Sequence, residues 1–435
     1  MSKKYLLLIG LIVQTTFFSY SQSVTNSPYS YFGIGDVERN GFNHSKAMGG
    51  LSTGLRAKNQ INYMNPAAIS SQDTMSFIFD IGINTVYKEM KNSNNSSEFK
   101  DFGFDHLAIS FPIKRWWFTS LGITPYSKIG YNIQETGQYV ASDTINMHYD
   151  SYGNGGINQV FLSNSFKFYN SLAIGVNINY LFGSLEQYNL TYSDASIRTT
   201  AISDDISVSK MSFDLGLQYF DHILDDKYFY VIGLAYSSKT DFNTKQKNSV
   251  LNTEYQNYNF LSILDYFEGY PLTIDTLKYS ESSDYKIEVP ARYSIGVTAG
   301  IEEKLVIGFD YSYQDWSEVA SNNVNNKFTK DESYNFGIEY TPNKYSLRNY
   351  FKKINYRAGM FLNNSYLVLN DQQIQNYGIT FGLGFPIANQ RTSLNVSYTY
   401  GNRGTTDHGL IEENYSLIGI NLTLYDFWFI KRKFQ

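Results

Sequence analysis

One serine motif and five histidines are the residues of this chain that could perform catalysis. The segment Gly50-Leu51-Ser52-Thr53-Gly54 matches the Gly-x-Ser-x-Gly pattern of hydrolases. That pattern works only where a strand, a sharp turn and a helix expose the serine beside an oxyanion hole. Here it lies in a glycine-rich stretch with no strand pattern before it, so it predicts a structural segment rather than a hydrolase.

His106 is the only histidine inside a clearly alternating segment. Ser110 falls on the same face, but four strand residues span about 13 Å, which is too far for a hydrogen bond. The other histidines are scattered and the chain has no cysteine, so no metal cluster is recognisable. We therefore expect no enzymatic activity, no cofactor and no metal site.

Two aspartates, Asp214 and Asp310, occupy the polar face of alternating segments. Inside a barrel, such charges would either bond to an internal plug or form a selectivity element that orders the path through the lumen. Their expected partners are Arg56 and Lys58, which precede the first alternating segment. Both interpretations require strands that carry the aspartates into one interior.

Such strands are predicted by an alternation of apolar and polar residues that recurs along the chain. From Leu172 to Phe182 almost every second residue is large and apolar, and Gly175, Asn177 and Asn179 lie between them. A helix would need a period of 3.6 residues. The alternating segments are about 10 to 14 residues long, whereas strands in soluble proteins average about 5 to 6.

Short and long polar joints alternate between these segments. Residues 168–171 form a short joint, and residues 133–155 and 240–288 form long ones. This layout predicts an all-β fold, a transmembrane antiparallel β-barrel of about 14 strands, with both termini in the periplasm and the long loops outside. The inward positions are mostly Gly, Ser, Thr and Asn, and they leave volume for water, a ligand or a plug.

The chain divides into three predicted parts. Residues 1–21 have lysines at their start, a short apolar core and small residues before the expected cleavage, as in a secretory signal peptide. Residues 22–74 lack alternation and are rich in glycine, and we expect them to form a hatch inside the lumen. Residues 75–435 form the barrel, and the expected location is the outer membrane.

The amino-acid composition limits the kinds of molecule that the protein is expected to bind. A formal net charge of −5 excludes the basic surface that nucleic acid requires. Aromatic residues make up 17% of the chain and include 39 tyrosines. Tyrosine suits the boundary between membrane and water because one end is apolar and the other wet. We therefore expect outer-membrane lipid to surround the protein.

Three stretches carry a family resemblance. They are Ala47-Met48-Gly49-Gly50-Leu51 with the later Asn65-Pro66-Ala67-Ala68, then Val289-Pro290-Ala291-Arg292-Tyr293, and then residues 305–317, which end in Asp-Trp-Ser. Together they resemble the FadL-type superfamily of outer-membrane transporters for hydrophobic compounds.

That resemblance implies a fourteen-stranded barrel with a hatch and passive uptake or capture of small hydrophobic molecules such as long-chain fatty acids. The hatch motif that it assigns here comprises Gly49, Gly50, Asn65, Pro66 and Ala67. No ligand-contacting residue can be matched to the family, so the resemblance assigns no ligand site.

Residues 27–36 and the basic end of the chain resemble a Bacteroidetes branch of such barrels. That branch neighbours the PorV-type barrels that serve type IX secretion. A second interpretation therefore stays open: a non-transporting accessory barrel that partners a type IX secretion or surface-assembly machine.

Overall fold

A computed structural model describes residues 26–38, 41–140, 144–169, 171–195, 198–224, 227–254, 274–319, 327–387 and 392–427. The predicted signal peptide, residues 1–21, and the basic end of the chain lie outside these ranges. Among the described residues, no helix is both long and apolar enough to cross a bilayer.

The described residues contain eighteen strand segments, which form one antiparallel sheet. In chain order they are β1 (Asp36–Val37), β2 (Ser76–Lys91), β3 (Ser96–Lys114), β4 (Trp117–Val140), β5 (Thr144–Phe168), β6 (Leu172–Ser193), β7 (Arg198–Ile223), β8 (Tyr228–Ser237), β9 (Thr240–Glu254), β10 (Ile274–Val289), β11 (Arg292–Ile301), β12 (Leu305–Asp315), β13 (Lys327–Phe328), β14 (Lys330–Tyr340), β15 (Asn355–Leu369), β16 (Gln372–Pro386), β17 (Ser393–Arg403) and β18 (Glu412–Phe427). The helical elements are α1 (Asn43–Lys46) and the 3₁₀ turns Pro28–Tyr31, Pro66–Ser71, Tyr350–Lys353 and Asp407–Gly409.

The sheet closes on itself because β18 pairs with β2 along its whole length. Three wall strands consist of two segments each, namely β8 with β9, β10 with β11, and β13 with β14, and β1 pairs with β4 from inside. The wall formed by the described residues therefore has fourteen strands. This confirms the predicted transmembrane antiparallel barrel and its strand number.

The alternation seen in the sequence divides the two faces of the wall. On β6, Ile174 and Ile178 are 42% and 43% exposed, whereas Ala173 and Asn177 between them are fully buried. The same arrangement recurs around the barrel, so large apolar side chains form an outward band that lipid covers.

The predicted long loop at residues 133–155 is wrong over most of its length, and so are the described parts of residues 240–288. Residues 255–273 lie outside the described residues. β4, β5 and β7 contain 24, 25 and 26 residues, so residues 133–155 are mainly a hairpin. Polar side chains on both faces still allow neighbouring backbones to pair. The end of the apolar alternation therefore marks the end of the lipid band, not the end of the strand.

The extended end of the barrel is filled by an apolar cluster. Ile34 from the N-terminal part packs there with Ile129 and Phe242 from the wall. Trp316 stacks on Tyr366 with ring centroids 4.2 Å apart. This cluster occupies the interior above the candidate site.

Candidate functional site in the barrel lumen

Residues 41–75, called the lumen segment below, contact strands on opposite sides of the barrel. Lys46 reaches Asp105 on β3, and the amide of Gly49 reaches Thr380 on β16. The amide of Ser52 bonds to a side chain of β12. Contacts in all these directions can be made only from the interior of a closed barrel, so the segment lies in the lumen.

A belt of inward-facing glycines receives this segment. A methyl group at any of these positions would overlap atoms of the lumen segment. Glycine in a strand often marks such a close approach of another backbone. The glycine belt comprises Gly175, Gly216, Gly233, Gly296, Gly337, Gly359, Gly382 and Gly419.

The Asn-Pro-Ala motif caps a short 3₁₀ turn in the segment. Asn65 Oδ1 accepts a hydrogen bond from Ala67 N at 3.2 Å, and Pro66 occupies the first position of the turn, where a missing N–H costs nothing. Asn65 Nδ2 donates to Thr53 O at 2.7 Å. The motif therefore ties two parts of the lumen segment together against β6 and β7.

Gly49 and Gly50 form the sharp turn after α1. Both have positive φ, 70° and 86°, a conformation that a side chain would strain. Gly50 N donates to Ser45 O at 2.8 Å, and Gly49 N donates to Thr380 Oγ1 at 2.9 Å. The turn brings the backbone against β15 and β16.

Asp310 on β12 binds three consecutive backbone amides of the segment. Its carboxylate accepts from Ser52 N and Thr53 N, each at 2.6 Å, and from Gly54 N at 3.2 Å. The side chain is 3% exposed. Hydrogen bonds to an ionised acceptor are roughly twice as strong as neutral ones. The Gly-x-Ser-x-Gly stretch is thus a carboxylate-binding turn.

The predicted pairing of the luminal aspartates with Arg56 or Lys58 is wrong. Arg56 donates to Gln218 Oε1 at 2.8 Å and lies 3.8 Å from the ring centroid of Phe220. Lys58 pairs with Glu302 at 2.7 Å.

Asp214 instead accepts from two asparagines on the neighbouring strand β6, Asn177 Nδ2 at 3.1 Å and Asn179 Nδ2 at 2.8 Å. The prediction assumed that each luminal carboxylate forms an ion pair with a cationic side chain. In this lumen, backbone amides and asparagines lie nearer.

A buried charged network joins the segment to β3. Lys46 forms an ion pair with Asp105, and both side chains are less than a tenth exposed. His106 Nδ1 lies 2.7 Å from Asp105 Oδ2, and its Nε2 lies 3.2 Å from Asp80 Oδ1. The His106 ring stacks on Phe42 of the lumen segment at 3.7 Å between centroids.

Ser110 is not part of this network. Its Oγ donates to Gln72 Oε1 at 2.6 Å, so the structure does not bring His106 and Ser110 together. In the described part of the chain, no group of three or more His, Cys, Asp or Glu residues could hold a metal ion.

The barrel wall has a gap between β3 and β4 beside the charged network. The β3–β4 ladder ends at Leu107↔Ile123, and beyond it β3 pairs only with β2 while β4 pairs with β5. We call this gap the seam. Phe102 and Phe104 of β3 are 63% and 41% exposed at its side, so the seam opens within the lipid-facing band.

The N-terminal part of the chain covers the seam from inside. β1 takes the place of β3 on β4, with Asp36 opposite Lys128 and Val37 opposite Ser127. Lys128 Nζ also lies 3.1 Å from Glu38 Oε1. The edge of β4 is therefore paired with a segment that is not part of the wall.

A vestibule of about 520 Å³ lies at the short-turn end, below the lumen segment. Arg56, Lys58 and Asp73 line it from the segment, and Lys167 and Glu302 line it from the wall. The lumen segment thus separates the seam from the vestibule.

The family model described as BamG matches residues 1–435, the whole chain. The chain belongs to the BamG family. No curated protein sequence matches this BamG-family chain.

Solved structures share the fold of this BamG-family barrel. The toluene transporter TbuX of Ralstonia pickettii is 15% identical, with 89% of this chain and 98% of that chain covered and a TM-score of 0.59. The P. putida toluene transporter TodX is 16% identical, with 91% and 100% covered and a TM-score of 0.59. A Pseudomonas aeruginosa FadL homologue is 12% identical, with 91% and 99% covered and a TM-score of 0.54.

Sequence reasoning missed the charged network and the seam. Asp105 and His106 are neighbours and yet both face inward, because a bulge opposite Gly82 and Ile83 adds one residue to β3. One signal for the seam was visible: Pro125 lies within a strand pattern, and proline in a strand marks an edge or a bulge. β4 has its register shift between Pro125 and Ser127.

Proposed function

We propose that this chain is an outer-membrane barrel for passive uptake of small hydrophobic molecules. The observation that carries the proposal is the seam between β3 and β4 within the lipid-facing band. An apolar solute dissolved in the membrane would reach the interior through the seam without crossing the polar layer outside.

The proposed path has three parts. A solute passes the seam, moves past the lumen segment and leaves through the vestibule at the periplasmic end. Because β1 covers the seam and the lumen segment fills the glycine belt, both must shift for passage. The lumen segment therefore acts as a hatch, and Gly49, Gly50, Asn65, Pro66 and Ala67 shape it.

Long-chain fatty acids are the substrate class that we propose within this function. The similar folds of proteins described as toluene transporters and as a FadL homologue support the broader class of hydrophobic compounds. The Bacteroidetes branch and the relation to PorV-type barrels stay predictions.

A reversible tether tests the path. The chain has no cysteine, so Val37→Cys with Ser127→Cys gives a single pair that joins β1 to the seam edge of β4. Uptake of a labelled long-chain fatty acid and of toluene would be measured in a deletion strain that expresses the variant. Oxidation is expected to lower uptake several-fold, and a reductant should restore it.

A matched tether controls for the disulfide itself. Glu89→Cys with Glu98→Cys joins β2 to β3 at a position where the ladder is already formed, so oxidation there should leave uptake unchanged. Equal uptake by the deletion strain and the complemented strain, for every solute tested, would contradict the transport function.

An accessory role in secretion or surface assembly is the second candidate. The observation that favours it is the projection of β4 to β7 beyond the lipid band, with strands of 22 to 26 residues. Such a sheet offers a broad polar surface to a partner. Co-purification of a large partner barrel, together with unchanged uptake in the deletion strain, would favour this role over transport.

A further inference from the structure

The wall has a second discontinuity, between β7 and the strand formed by β8 and β9. The β7–β8 ladder ends at Asp214↔Ser237, and the β7–β9 ladder starts at Ser207↔Lys245. Between these pairs, residues 208–213 and 238–244 form no ladder with each other, although Ser238 N donates to Phe213 O at 3.0 Å. On their other sides, residues 208–213 pair with β6 and residues 240–244 pair with β10. We call this stretch the wall break.

The neighbouring strand is interrupted at the same height. Val289 ends β10 and Arg292 starts β11, with Pro290 between them. Proline has no N–H to donate to a ladder. Pairing between these two adjacent wall strands is therefore interrupted at the same height, at residues 238–239 and 290–291.

An apolar groove of about 540 Å³ runs along the outer face next to the break. Its lining is made of lipid-facing side chains with tyrosines at the end near the break. They include Leu215, Leu217, Leu234, Ile295, Tyr236 and Tyr293. Tyrosine rings beside an aliphatic groove mark the boundary between the acyl layer and the polar head groups.

Inside the wall, a polar cavity of about 80 Å³ lies behind the break. Such a volume has room for roughly five to eight water-sized groups. Ser237, Ser238 and Thr240 line it at the break, and Ala235 and Ser294 line both the cavity and the groove. The wall between the two is one strand thick.

Asp214 and Arg292 give the cavity opposite charges on two sides, and Glu38, which pairs with Lys128, also lines it. Asp214 is opposite Ser237, and Ser237 is opposite Arg292, so the two charged residues are two strand spacings apart, about 10 Å between Cα atoms. Both line the cavity. Arg292 Nη2 donates to Ser312 Oγ at 3.2 Å, which directs the guanidinium inward.

We propose that the wall break binds a zwitterionic membrane lipid. Its acyl chain lies in the outer groove, and its head group passes the break into the cavity. There the phosphate meets the guanidinium of Arg292, which matches phosphate geometry, and the ammonium group meets the carboxylate of Asp214. This site is separate from the seam and does not depend on transport.

Lipid retention tests the site. The full chain, purified in detergent, is mixed with equal amounts of phosphatidylethanolamine and phosphatidylglycerol, and the retained lipids are counted by native mass spectrometry. We expect one phosphatidylethanolamine per chain and about tenfold less phosphatidylglycerol, since that ratio needs only about 1.4 kcal/mol. Arg292→Gln and Asp214→Asn should each reduce retention of phosphatidylethanolamine several-fold.

Filling the groove gives a second variant with a matched control. Ile295→Trp occupies the groove, whereas Ile379→Trp makes the same change at an equally exposed lipid-facing residue elsewhere; both isoleucines are 46% exposed. Only Ile295→Trp should lower retention. Equal retention of both lipids, retention of none, or an equal loss in both tryptophan variants would overturn the proposal. The retention experiment does not measure uptake, so a failure of the proposed transport function would not change the retention result.

Discussion

The seam and the wall break are both gaps between neighbouring wall strands, but they are closed by different means. At the seam, another backbone covers the gap: β1 pairs with β4. At the break, the end at Ser237 and Ser238 borders the cavity, and beyond it side chains of the wall itself fill the space, since Phe242 and Val208 are 0% and 3% exposed and pack in the apolar cluster.

The closure of the seam is made by a separate segment, whereas the closure of the break is part of the wall itself. Backbone pairing and ion pairs at the seam are directional and belong to a segment outside the wall. On the proposed uptake path, this segment leaves while the wall strands keep their own pairing. Apolar packing at the break is non-directional and part of the wall. The seam therefore suits passage, and the break suits a resident ligand.

The largest effect is expected for Lys46→Met, which leaves Asp105 buried without its cation. Breaking one partner of a buried ion pair typically costs about 3 to 5 kcal/mol. The free energy of unfolding in urea, measured in lipid vesicles, should fall by that amount. Adding Asp105→Asn should recover part of the loss; a further loss of equal size would show that the pair is not coupled.

Phe242→Ala tests the apolar closure of the break. Truncating a buried phenylalanine leaves a cavity and costs about 3 kcal/mol or more. The loss should not change with salt concentration, since no charge is involved. Phe213→Ala on β7 is the control, because Phe213 is 50% exposed to lipid and its removal leaves no internal cavity. Equal losses in the two variants would argue against a closed break.

The wall could be predicted from the sequence because its signal is local. Side chains alternate with a period of two along each strand, so the faces of Asp214 and Asp310 follow from their neighbours in the chain. The strand number followed from counting alternating segments. The length of β4 to β7 could not be predicted from the alternation, because polar residues pair as strands beyond the lipid band without any apolar face.

The candidate site was harder to predict from the sequence because it depends on contacts between residues that are far apart in the chain. Asp310 meets the amides of Ser52, Thr53 and Gly54, and backbone amides carry no residue-type signal. Two prolines did carry a residue-type signal: Pro125 lies at the seam and Pro290 lies at the break. A proline inside a strand pattern could have located both gaps.

Gly296→Ala tests the fit of the lumen segment against an intact part of the wall. A Cβ at this position would lie 2.5 Å from Gly54 N and closer still to Asp310 Oδ1, the carboxylate that holds the segment, and overpacking of this kind typically costs about 1 to 3 kcal/mol. Urea unfolding should show a loss of about 2 kcal/mol. Gly137→Ala is the matched control, because the nearest atom to its Cβ is 3.7 Å away. A neutral Gly296→Ala would mean that the segment does not press on the belt.

Lys58→Met should have the smallest effect. The Lys58–Glu302 pair has the same charges as Lys46–Asp105, but its side chains are 56% and 35% exposed, and exposed pairs contribute about 0 to 1 kcal/mol. The free energy of unfolding should change by less than about 1 kcal/mol, and the change should shrink further in high salt because screening is strong near solvent. A loss as large as that of Lys46→Met would show that the charge alone matters. A small loss would assign the strength of the Lys46–Asp105 pair to its burial, since the two lysines differ chiefly in their access to water.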